Sequence, residues 1–323
     1  MKLQVGISVI VPCFNEEKGL QDFLDVVVPT LNEAYPDTPW EIILVNDGST
    51  DSTEEIIKEV NRKTPNIWGI TLSRNFGHQP ALFMGLAYAQ GQIVAFLDAD
   101  LQDPPPILVQ LIEAVRNNHA DVAYGVRANR EASFFLKYCY HFFYRFMAKI
   151  AEHPWQMDAG DFFAMNRKAV DFVLSFTESD RFLRGLRSWI GLRQVGISYR
   201  RPKRKHGSSN YNFARLLKLA LKGIVGFSTL PLRLASFMSL ILAFCCALSG
   251  LMLLANRLYP AFTILGYNIG ANPGIATLAI LMLFVSTAIM ASLGIMGEYL
   301  SVILLEVKRR PQALVSGLIK NEK

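Results

Sequence analysis

Five short apolar runs in the first 130 residues constrain the fold more than any other feature of the chain. The runs are continuous rather than alternating, which is typical of strands that are buried on both faces of a sheet. They are ISVIVP (7–12), EIILVND (41–47), WGITLS (68–73), QIVAFLD (92–98) and DVAYGVR (121–127). Helical patterns lie between them at Glu16–Asn32, Asp51–Arg62, Gln79–Ala89 and Pro105–Asn118. This alternation predicts an α/β fold with a parallel, doubly wound sheet.

Each of the five predicted strands ends in a polar sequence. The endings are PCFNEE, NDGSTDST, SRNFGHQ, DADLQDPP and RANR. Ligands of doubly wound sheets bind in the crevice at the carboxyl ends of the strands. Polar endings on all five strands therefore predict a ligand site at this edge of the sheet, rather than five unrelated surface loops.

The fourth ending, DADLQDPPP, carries three aspartates. Asp98 and Asp100 flank one small residue, so alternation along an extended chain points both carboxylates to the same side. Two hard oxygen donors in this arrangement suit Mg²⁺ or Mn²⁺, with waters and substrate phosphates completing the shell. A solvated turn is the alternative interpretation. Asp103 precedes three prolines, and we expect it to cap the next helix.

The second ending, NDGSTDST, predicts a contact with a nucleotide. Gly48 permits a tight turn, and Ser49 or Asp51 suits the N-terminal cap of the following helix. Capping does not require Asp47, and we expect its carboxylate to point into the cleft and accept hydrogen bonds from a base or ribose. The first ending has the same form, with Asn15–Glu16 at the start of a helix.

Two apolar stretches in the last third of the chain, Leu234–Ala255 and Ile275–Gly297, contain no charged residue. Each is longer than the roughly 20 residues that a helix needs to cross a bilayer. The alternative is a pair of buried core helices, but core helices of this length usually keep one polar face. We therefore predict two transmembrane helices.

Basic residues flank the two predicted spans and indicate their orientation. They are Arg215, Lys218, Lys222 and Arg233 before the first span, and Lys308, Arg309 and Arg310 after the second. The loop between the spans carries only Arg257, so the positive-inside rule places both termini in the cytoplasm. The net charge of +6 therefore indicates contact with anionic lipid and phosphate rather than with nucleic acid.

Two further segments have the composition of helices that lie on a membrane surface. Residues 131–151 are rich in aromatic side chains with interspersed lysine and arginine, and residues 211–231 are basic on one side and apolar on the other. An ordinary core-packing helix is the alternative for residues 131–151.

Five motifs together carry a resemblance to a known family. They are VPCFNEE, NDGSTDST, SRNFGHQPALFMGL, DADLQDPP and GDFFAMNR. The set resembles family-2 glycosyltransferases with the GT-A fold. Within that family it is most similar to the polyprenyl-phosphate branch, which includes dolichol-phosphate mannose synthase and the bacterial undecaprenyl-phosphate glucosyltransferases. The resemblance covers nearly the whole chain and implies a Rossmann-like, mostly parallel sheet domain followed by interfacial helices and two transmembrane helices.

The resemblance also implies roles for individual residues. Donor-nucleotide binding is implied for Pro12, Asn15, Glu16, Asp47 and Asp98, and metal binding for Asp98, Asp100 and Gln102. Asp100 and Asp161 are the implied catalytic residues. Binding of the acceptor and the diphosphate is implied for Arg127, Lys137, Arg201, Arg204, Ser208 and Tyr211. The family pattern G-x-S-K-Y is altered here because Asn210 precedes Tyr211, so Lys205 or Arg204 must replace the family lysine.

The implied activity is an inverting transfer of a hexose from a nucleotide-diphosphate sugar to a polyprenyl phosphate, with Mg²⁺ or Mn²⁺. UDP-glucose is the first choice of donor, and GDP-mannose or a UDP-aminoarabinose-type donor is the alternative. Asp161 would orient the acceptor, steady the sugar or act as a base. A processive polysaccharide synthase is disfavoured because RGLRSW (184–189) lacks the glutamine of Q-x-x-R-W, and a non-catalytic flippase partner is disfavoured because the acidic positions are intact.

These interpretations combine into one predicted organisation at the inner membrane. A cytoplasmic catalytic domain covers residues 1–210, followed by a juxtamembrane helix (211–231), a transmembrane helix (232–256), an external loop (257–273), a second transmembrane helix (274–305) and a cytoplasmic tail (306–323). Related enzymes suggest a homo-oligomer, with a tetramer as one form.

Overall fold

The computed structural model describes residues 5–127, 159–178, 181–200 and 274–320, with scattered positions between 237 and 259. Two compact units divide the chain: residues 1–148, 153–210 and 309–323 form the first, and residues 149–152 and 211–308 form the second. Strands of the first unit are β1 (Ile7–Cys13), β2 (Trp40–Asn46), β3 (Ile67–Leu72), β4 (Ile93–Phe96), β5 (Val122–Arg127), β6 (Ala159–Asn166), β7 (Gln194–Tyr199) and β8 (Val315–Ile319). Its helices are α1 (Leu20–Ala34), α2 (Thr53–Lys63), α3 (His78–Tyr88), α4 (Pro105–Arg116), α5 (Arg167–Ser175) and α6 (Leu183–Trp189).

All five predicted strands are present, and they belong to one sheet. The described residues form eight strands in the order β7-β5-β6-β4-β1-β2-β3-β8. β1 to β4 run parallel, whereas β6 lies antiparallel between β4 and β5, and β8 lies antiparallel to β3. A mostly parallel sheet is therefore confirmed. A wholly parallel one is wrong, because GDFFAMN, noted only as a motif, forms the reversed strand β6.

Helices cover both faces of this sheet, as expected for a doubly wound fold. Alternate residues of β1 point to opposite faces: Val9 and Val11 pack with α1 and α4, whereas Ile10 packs against Leu82 and Leu86 of α3. Two buried apolar clusters result, one on each face. Burial on both faces explains why the strands are continuous apolar runs.

The helix ends differ in detail from the sequence-based expectations. α1 begins at Leu20, after a turn that Asn15 enters with a φ of 55°, rather than at Glu16. The N-terminal cap of α4 is Pro104, so the expectation that Asp103 caps this helix is wrong. Asp103 instead accepts a hydrogen bond from a distant tyrosine, which a local pattern does not reveal.

The second unit contains a long helix, α7 (Ile275–Lys308). Within the described ranges, Phe284–Lys308 is the one stretch long and apolar enough to cross a membrane, with a mean hydropathy of 1.8. The other predicted span, residues 232–256, lies largely outside the described residues, and its described positions are helical. The proposed interfacial segments 131–151 and 211–231 also lie outside them.

The final residues are not a simple tail. Val315–Ile319 forms β8, which extends the sheet beyond β3 and pairs Ile70 with Leu318 and Thr71 with Gly317. The backbone N–H of Ser73 also donates to the carbonyl of Leu314 at 2.8 Å. The end of the chain is thus part of the sheet of the first unit.

Candidate active site

The register of β4 and β6 brings two acidic positions to the same edge of the sheet. Phe96 pairs with Phe163, and their ring centroids lie 4.4 Å apart. Asp98 lies two residues beyond Phe96, just after the end of β4, and Asp161 lies two residues before Phe163 within β6. Because side chains alternate along a strand, both carboxylates lie on the face that Phe96 and Phe163 share. The first residue of α3, His78, lies between them, with its Nε2 atom 3.7 Å from Asp98 Oδ1 and 3.4 Å from Asp161 Oδ2.

A cleft of about 250 Å³ opens at this edge. It is formed by the loops that follow β1, β2, β3 and β4, as predicted for a doubly wound sheet. Its lining residues are Pro12, Cys13, Phe14, Glu16, Asp47, Asn75, Gly77, His78, Ala81, Asp98, Ala99 and Asp100. The structure therefore brings together Pro12, Glu16, Asp47, Asp98 and Asp100 of the predicted site residues.

Asp98 is in a strongly acidic environment. Burial raises the pKa of its carboxyl to about 6, and the nearby carboxylates of Asp103, Asp161 and Asp100 add to this, while His78 opposes it. The carboxylate of Asp100 accepts the backbone N–H of Gln102 at 3.0 Å, which fixes the turn after β4. Crowded carboxylates of this kind favour a bound cation, and their oxygens are the hard donors that Mg²⁺ and Mn²⁺ prefer. The residues present therefore fit a divalent metal ion.

Asp47 stabilises the loop that precedes α3. Its carboxylate accepts the backbone N–H groups of Phe76 and Gly77 at 2.8 and 2.9 Å. Burial outweighs these two bonds, so the pKa of Asp47 lies above its ordinary value. The adjacent Gly48 has a φ of 66°, and a Cβ there would lie 2.4 Å from the backbone of Arg74. The expected tight turn is confirmed, and it places Asp47 in the wall of the cleft.

The loops after β1 and β2 are bonded to each other beside the cleft. Asn15 Oδ1 accepts the backbone N–H of Thr50 at 2.9 Å, and the N–H of Asn15 donates to Ser49 Oγ at 3.0 Å. The N–H of Glu16 donates to Thr53 Oγ1 at 2.9 Å. Asn15 is not among the residues that line the cleft, so the structure places it as a link between the two loops.

Cys13 lines the cleft, but its thiol is not arranged for nucleophilic chemistry. The residue is 1% exposed, and burial raises the pKa of the thiol well above its ordinary value. Thiolate catalysis at this position is therefore excluded at neutral pH.

Asp161 is held by side chains from two helices. Arg184 donates from Nε to Oδ1 at 2.7 Å and from Nη2 to Oδ2 at 2.6 Å, and Gln79 Nε2 donates to Oδ2 at 3.1 Å. Burial alone would raise the pKa of Asp161, but the bonds from His78 and Arg184 outweigh it and lower the pKa far below the ordinary value. Asp161 is therefore ionised throughout the physiological range.

Arg127, at the end of β5, lies outside the lining of the cleft. Its guanidinium lies near the hydroxyl of Tyr199 and against Gly160, where an added Cβ would be 3.2 Å from Nη2. The other predicted acceptor residues lie outside the described part of the chain; they are Lys137, Arg201, Arg204, Ser208 and Tyr211.

Three residues that contact the acidic centre have no role in the sequence-based predictions. His78 and Gln79 stand in the polar ending SRNFGHQ, so their position after a strand was the available signal. Arg184 had no such signal, because its partner Asp161 lies 23 residues away on a different element.

Comparisons with known proteins identify relatives of this chain. The sequence profile described as Glycosyl transferase family 2 matches residues 8–174, just over half of the chain. An uncharacterized glycosyltransferase, YkcC of Bacillus subtilis, is 34% identical over 98% of this chain and 94% of its own. The bactoprenol glucosyl transferase of Shigella phage SfV is 35% identical over 98% of this chain and 99% of its own.

Among solved structures, the mannosyltransferase PcManGT from Pyrobaculum calidifontis, in complex with GDP-Man and Mn²⁺, is similar with a TM-score of 0.44 and 18% identity. The similarity covers 89% of this chain and 86% of that one. The profile match and the two relatives, each above 30% identity over nearly the full length, decide the classification: the chain belongs to glycosyl transferase family 2.

Proposed function

We propose that the protein transfers a hexose from a nucleotide-diphosphate sugar to a polyprenyl phosphate at the cytoplasmic face of the inner membrane. The observation that carries this proposal is the cleft in which Asp47 lies beside Asp98 and Asp100 at the carboxyl ends of the strands. The near full-length similarity to a protein named bactoprenol glucosyl transferase supports a lipid-phosphate acceptor and makes glucose the first choice of sugar.

The donor would bind along the lining of this cleft. Pro12, Glu16 and Asp47 would contact the nucleoside. The hydrogen bonds between the loops after β1 and β2 would hold this side of the cleft in place. Asp98 and Asp100, with Gln102, would hold a divalent metal ion. When bound, such an ion supplies positive charge that stabilises the leaving nucleoside diphosphate. Within the described residues no group of three or more acidic, histidine or cysteine side chains has metal-binding geometry, so diphosphate oxygens and water would complete the shell.

The transfer reaction needs no proton to be added or removed. An oxygen of the acceptor phosphate dianion forms a bond to the anomeric carbon, and the bond from that carbon to the diphosphate oxygen breaks. The electron pair of the broken bond leaves with the nucleoside diphosphate, and a single displacement inverts the anomeric centre. A phosphate monoester with a second pKa near 6 is mostly dianionic at neutral pH, so it is already a nucleophile.

Positive charge near the cleft would reduce the repulsion between the acceptor phosphate and the donor diphosphate. Arg127 is the described residue that we assign to this role, and Lys137, Arg201, Arg204, Ser208 and Tyr211 are the residues assigned by family resemblance. The apolar helix α7 and the apolar stretch at 232–256 would anchor this catalytic unit in the membrane as two spans. A homo-oligomer, such as a tetramer, completes the proposal.

A donor panel tests the proposal directly. Membranes containing the protein are incubated with polyprenyl phosphate and one labelled donor at a time: UDP-glucose, GDP-mannose or a UDP-aminoarabinose-type sugar. We expect label to move into the organic phase with UDP-glucose, in the presence of Mg²⁺ or Mn²⁺, and not with membranes carrying Asp98→Ala. Label that stays in the aqueous phase with every donor would contradict the proposal.

A further inference from the structure

Both oxygens of the Asp161 carboxylate are bound by side chains of the protein. Arg184 engages both oxygens in a bidentate pair at 2.7 and 2.6 Å, and Gln79 adds a third donor at 3.1 Å. Oδ2 accepts from both Arg184 and Gln79 and also faces His78 Nε2 at 3.4 Å, while Oδ1 accepts from Arg184. A general base needs an open lone pair that faces the proton it removes. Both oxygens of Asp161 instead accept from the guanidinium of Arg184, which makes the carboxylate a weaker base.

The group that holds Asp161 is itself fixed by the backbone. Gln79 Oε1 accepts the backbone N–H of Leu183 at 3.0 Å, which joins the first residue of α6 to the start of α3. Arg184 is the next residue of α6, so the helix that supplies the guanidinium is tied to the helix that supplies His78 and Gln79. The side chain of Asp161 is 5% exposed, and that of Arg184 is 41% exposed.

These contacts form a series of neighbouring side chains that leads from Arg184 to Asp98, a predicted metal ligand. Arg184 binds Asp161, Asp161 faces His78, and His78 Nε2 lies 3.7 Å from Asp98 Oδ1. We propose that Arg184 is a positioning residue for the transfer: it fixes Asp161, which orients His78 towards Asp98, and Asp161 does not act as a base. This inference rests on the proposed function.

The charges around Asp161 support the same assignment. Arg184 and Arg187 approach from α6, His78 from the start of α3, and Asp98 from the end of β4. The positive neighbours dominate, and they keep the pKa of the Asp161 carboxyl far below its ordinary value. Because the acceptor phosphate loses no proton in the transfer, the reaction does not need a base at this position.

A double-mutant cycle tests whether Arg184 acts through Asp161. The four proteins are the wild type, Arg184→Met, Asp161→Asn and the double variant, with Arg62→Met on α2 as an exposed arginine control. We expect Arg184→Met to lower kcat by roughly 10- to 100-fold, with little change in the KM of the donor, because the substitution disturbs orientation rather than binding. In the Asp161→Asn background the same substitution should cost less than about 3-fold.

An equal loss in both backgrounds would overturn the proposal, because Arg184 would then contact a substrate directly. Arg184→Lys keeps the charge but not the bidentate geometry, and we expect it to recover only part of kcat. Full recovery by lysine would show that charge alone matters, and would also count against a positioning role.

The melting temperatures of the same four purified full-length proteins are also compared. This measurement does not depend on transfer activity. We expect Asp161→Asn and Arg184→Met to be strongly non-additive in melting temperature, since each removes the same pair. Additive shifts would contradict the pairing. If no donor supports transfer but the unfolding cycle shows coupling, the proposed function fails while the ion pair stands, so the two failures are distinguishable.

Discussion

The hydroxyl of Tyr199, the last residue of β7, donates a hydrogen bond to the buried carboxylate of Asp103, which lies 96 residues earlier in the chain. The guanidinium of Arg127, at the end of β5, lies near the same hydroxyl. The ring of Tyr199 also packs edge-on against Phe162, with centroids 5.4 Å apart. The loop that carries Asp98 and Asp100 is thereby tied to the strand end from which the basic segment 201–211 departs.

Removing this hydroxyl should weaken both stability and transfer. In Tyr199→Phe the carboxylate of Asp103 loses a donor while it stays buried, which costs about 1–3 kcal/mol in the free energy of unfolding. Looser attachment of the loop should also lower kcat by several-fold. Thermal unfolding and the extraction assay measure the two effects, and Tyr88→Phe at the end of α3 is the matched control. A Tyr199→Phe protein with wild-type stability would show that the bond has no structural role.

Asp98 and Asp100 should be needed for transfer and not for folding. Replacing either by alanine removes a carboxylate that lines the cleft, and we expect kcat to fall by at least about 100-fold because the leaving diphosphate is no longer stabilised. Circular dichroism and membrane fractionation should be unchanged. Asp37→Ala, at an exposed turn, is the control. Substantial activity in either variant, with or without added Mn²⁺, would contradict the assignment of the metal site.

Stability in acid should depend on Asp161. Burial would raise its pKa, but His78 and Arg184 lower the pKa of the folded carboxyl far below the value of about 3.9 for an unfolded aspartate. The folded state therefore binds fewer protons than the unfolded state. Its contribution to stability is present above about pH 4 and is lost as the pH falls towards the folded pKa.

We therefore expect the wild type to lose more unfolding free energy than Asp161→Asn when the pH falls from about 6 to about 3. Thermal melts across this range measure the difference, with the exposed Asp171→Asn on α5 as a control. Parallel curves for the wild type and Asp161→Asn would show that Asp161 keeps an ordinary pKa.

Glu41 is a buried carboxylate near the start of β2, at the end of the sheet opposite to the cleft, and its replacement should affect stability alone. Glu41 Oε1 accepts from Ser8 Oγ at 2.6 Å and from the backbone N–H of Gln90 at 3.1 Å, and Oε2 accepts from Trp68 Nε1 at 2.8 Å. Glu41→Ala leaves two buried donors, Ser8 Oγ and Trp68 Nε1, and the partly buried N–H of Gln90 without their acceptor, which should cost about 2–3 kcal/mol or more. The KM for the donor should not change in the folded protein.

Glu59→Ala is the matched control for this substitution, because it removes an exposed glutamate whose pair with Lys63 contributes little. Chemical denaturation and donor titration measure the two quantities. A change in donor KM for Glu41→Ala would show that the amino ends of the strands are coupled to the cleft at their carboxyl ends.

The sequence predicted β1 to β4 well because these strands are buried on both faces, whereas the interior strand β6 was recognised only as a motif. Val9, Ile43 and Val94 belong to uninterrupted apolar runs that only strands of this kind explain. β7 and β8 escaped prediction because they lie at the edges, where glycine and polar residues such as Gly196, Ser198 and Gly317 interrupt the apolar pattern. Edge strands gain their stability from pairing with distant segments, which local periodicity does not record.

The same distinction separates the predicted and unpredicted parts of the site. Asp47 and Asp98 could be identified because aspartate is seldom found next to a buried strand unless its carboxylate has a binding partner. Arg184 and Tyr199 gain their importance from partners on other elements, Asp161 and Asp103. The register of β4 with β6 and the position of α6 bring Arg184 to Asp161, and the pairing of β7 with β5 sets the position of Tyr199.

The last strand gives a prediction about the end of the chain. β8 covers the edge of β3 by pairing Gly69 with Ile319, Ile70 with Leu318 and Thr71 with Gly317, and the ammonium of Lys320 lies 4.5 Å from the ring centroid of Trp68. Deleting residues 311–323 should expose a paired edge of the sheet, at a cost of roughly 0.5–1.5 kcal/mol for each hydrogen bond lost. An uncovered edge also favours pairing between molecules.

We therefore expect the shortened protein to melt at a lower temperature and to aggregate during size-exclusion chromatography in detergent. Deleting only residues 321–323 keeps β8 and is the matched control. The substitution Ser316→Ala, which removes the hydroxyl that donates to the carbonyl of Thr71 at 3.1 Å, should give a much smaller effect because the strand pairing stays intact. Unchanged melting and a single symmetric peak for the 311–323 deletion would mean that β8 contributes nothing to the sheet that carries the active site.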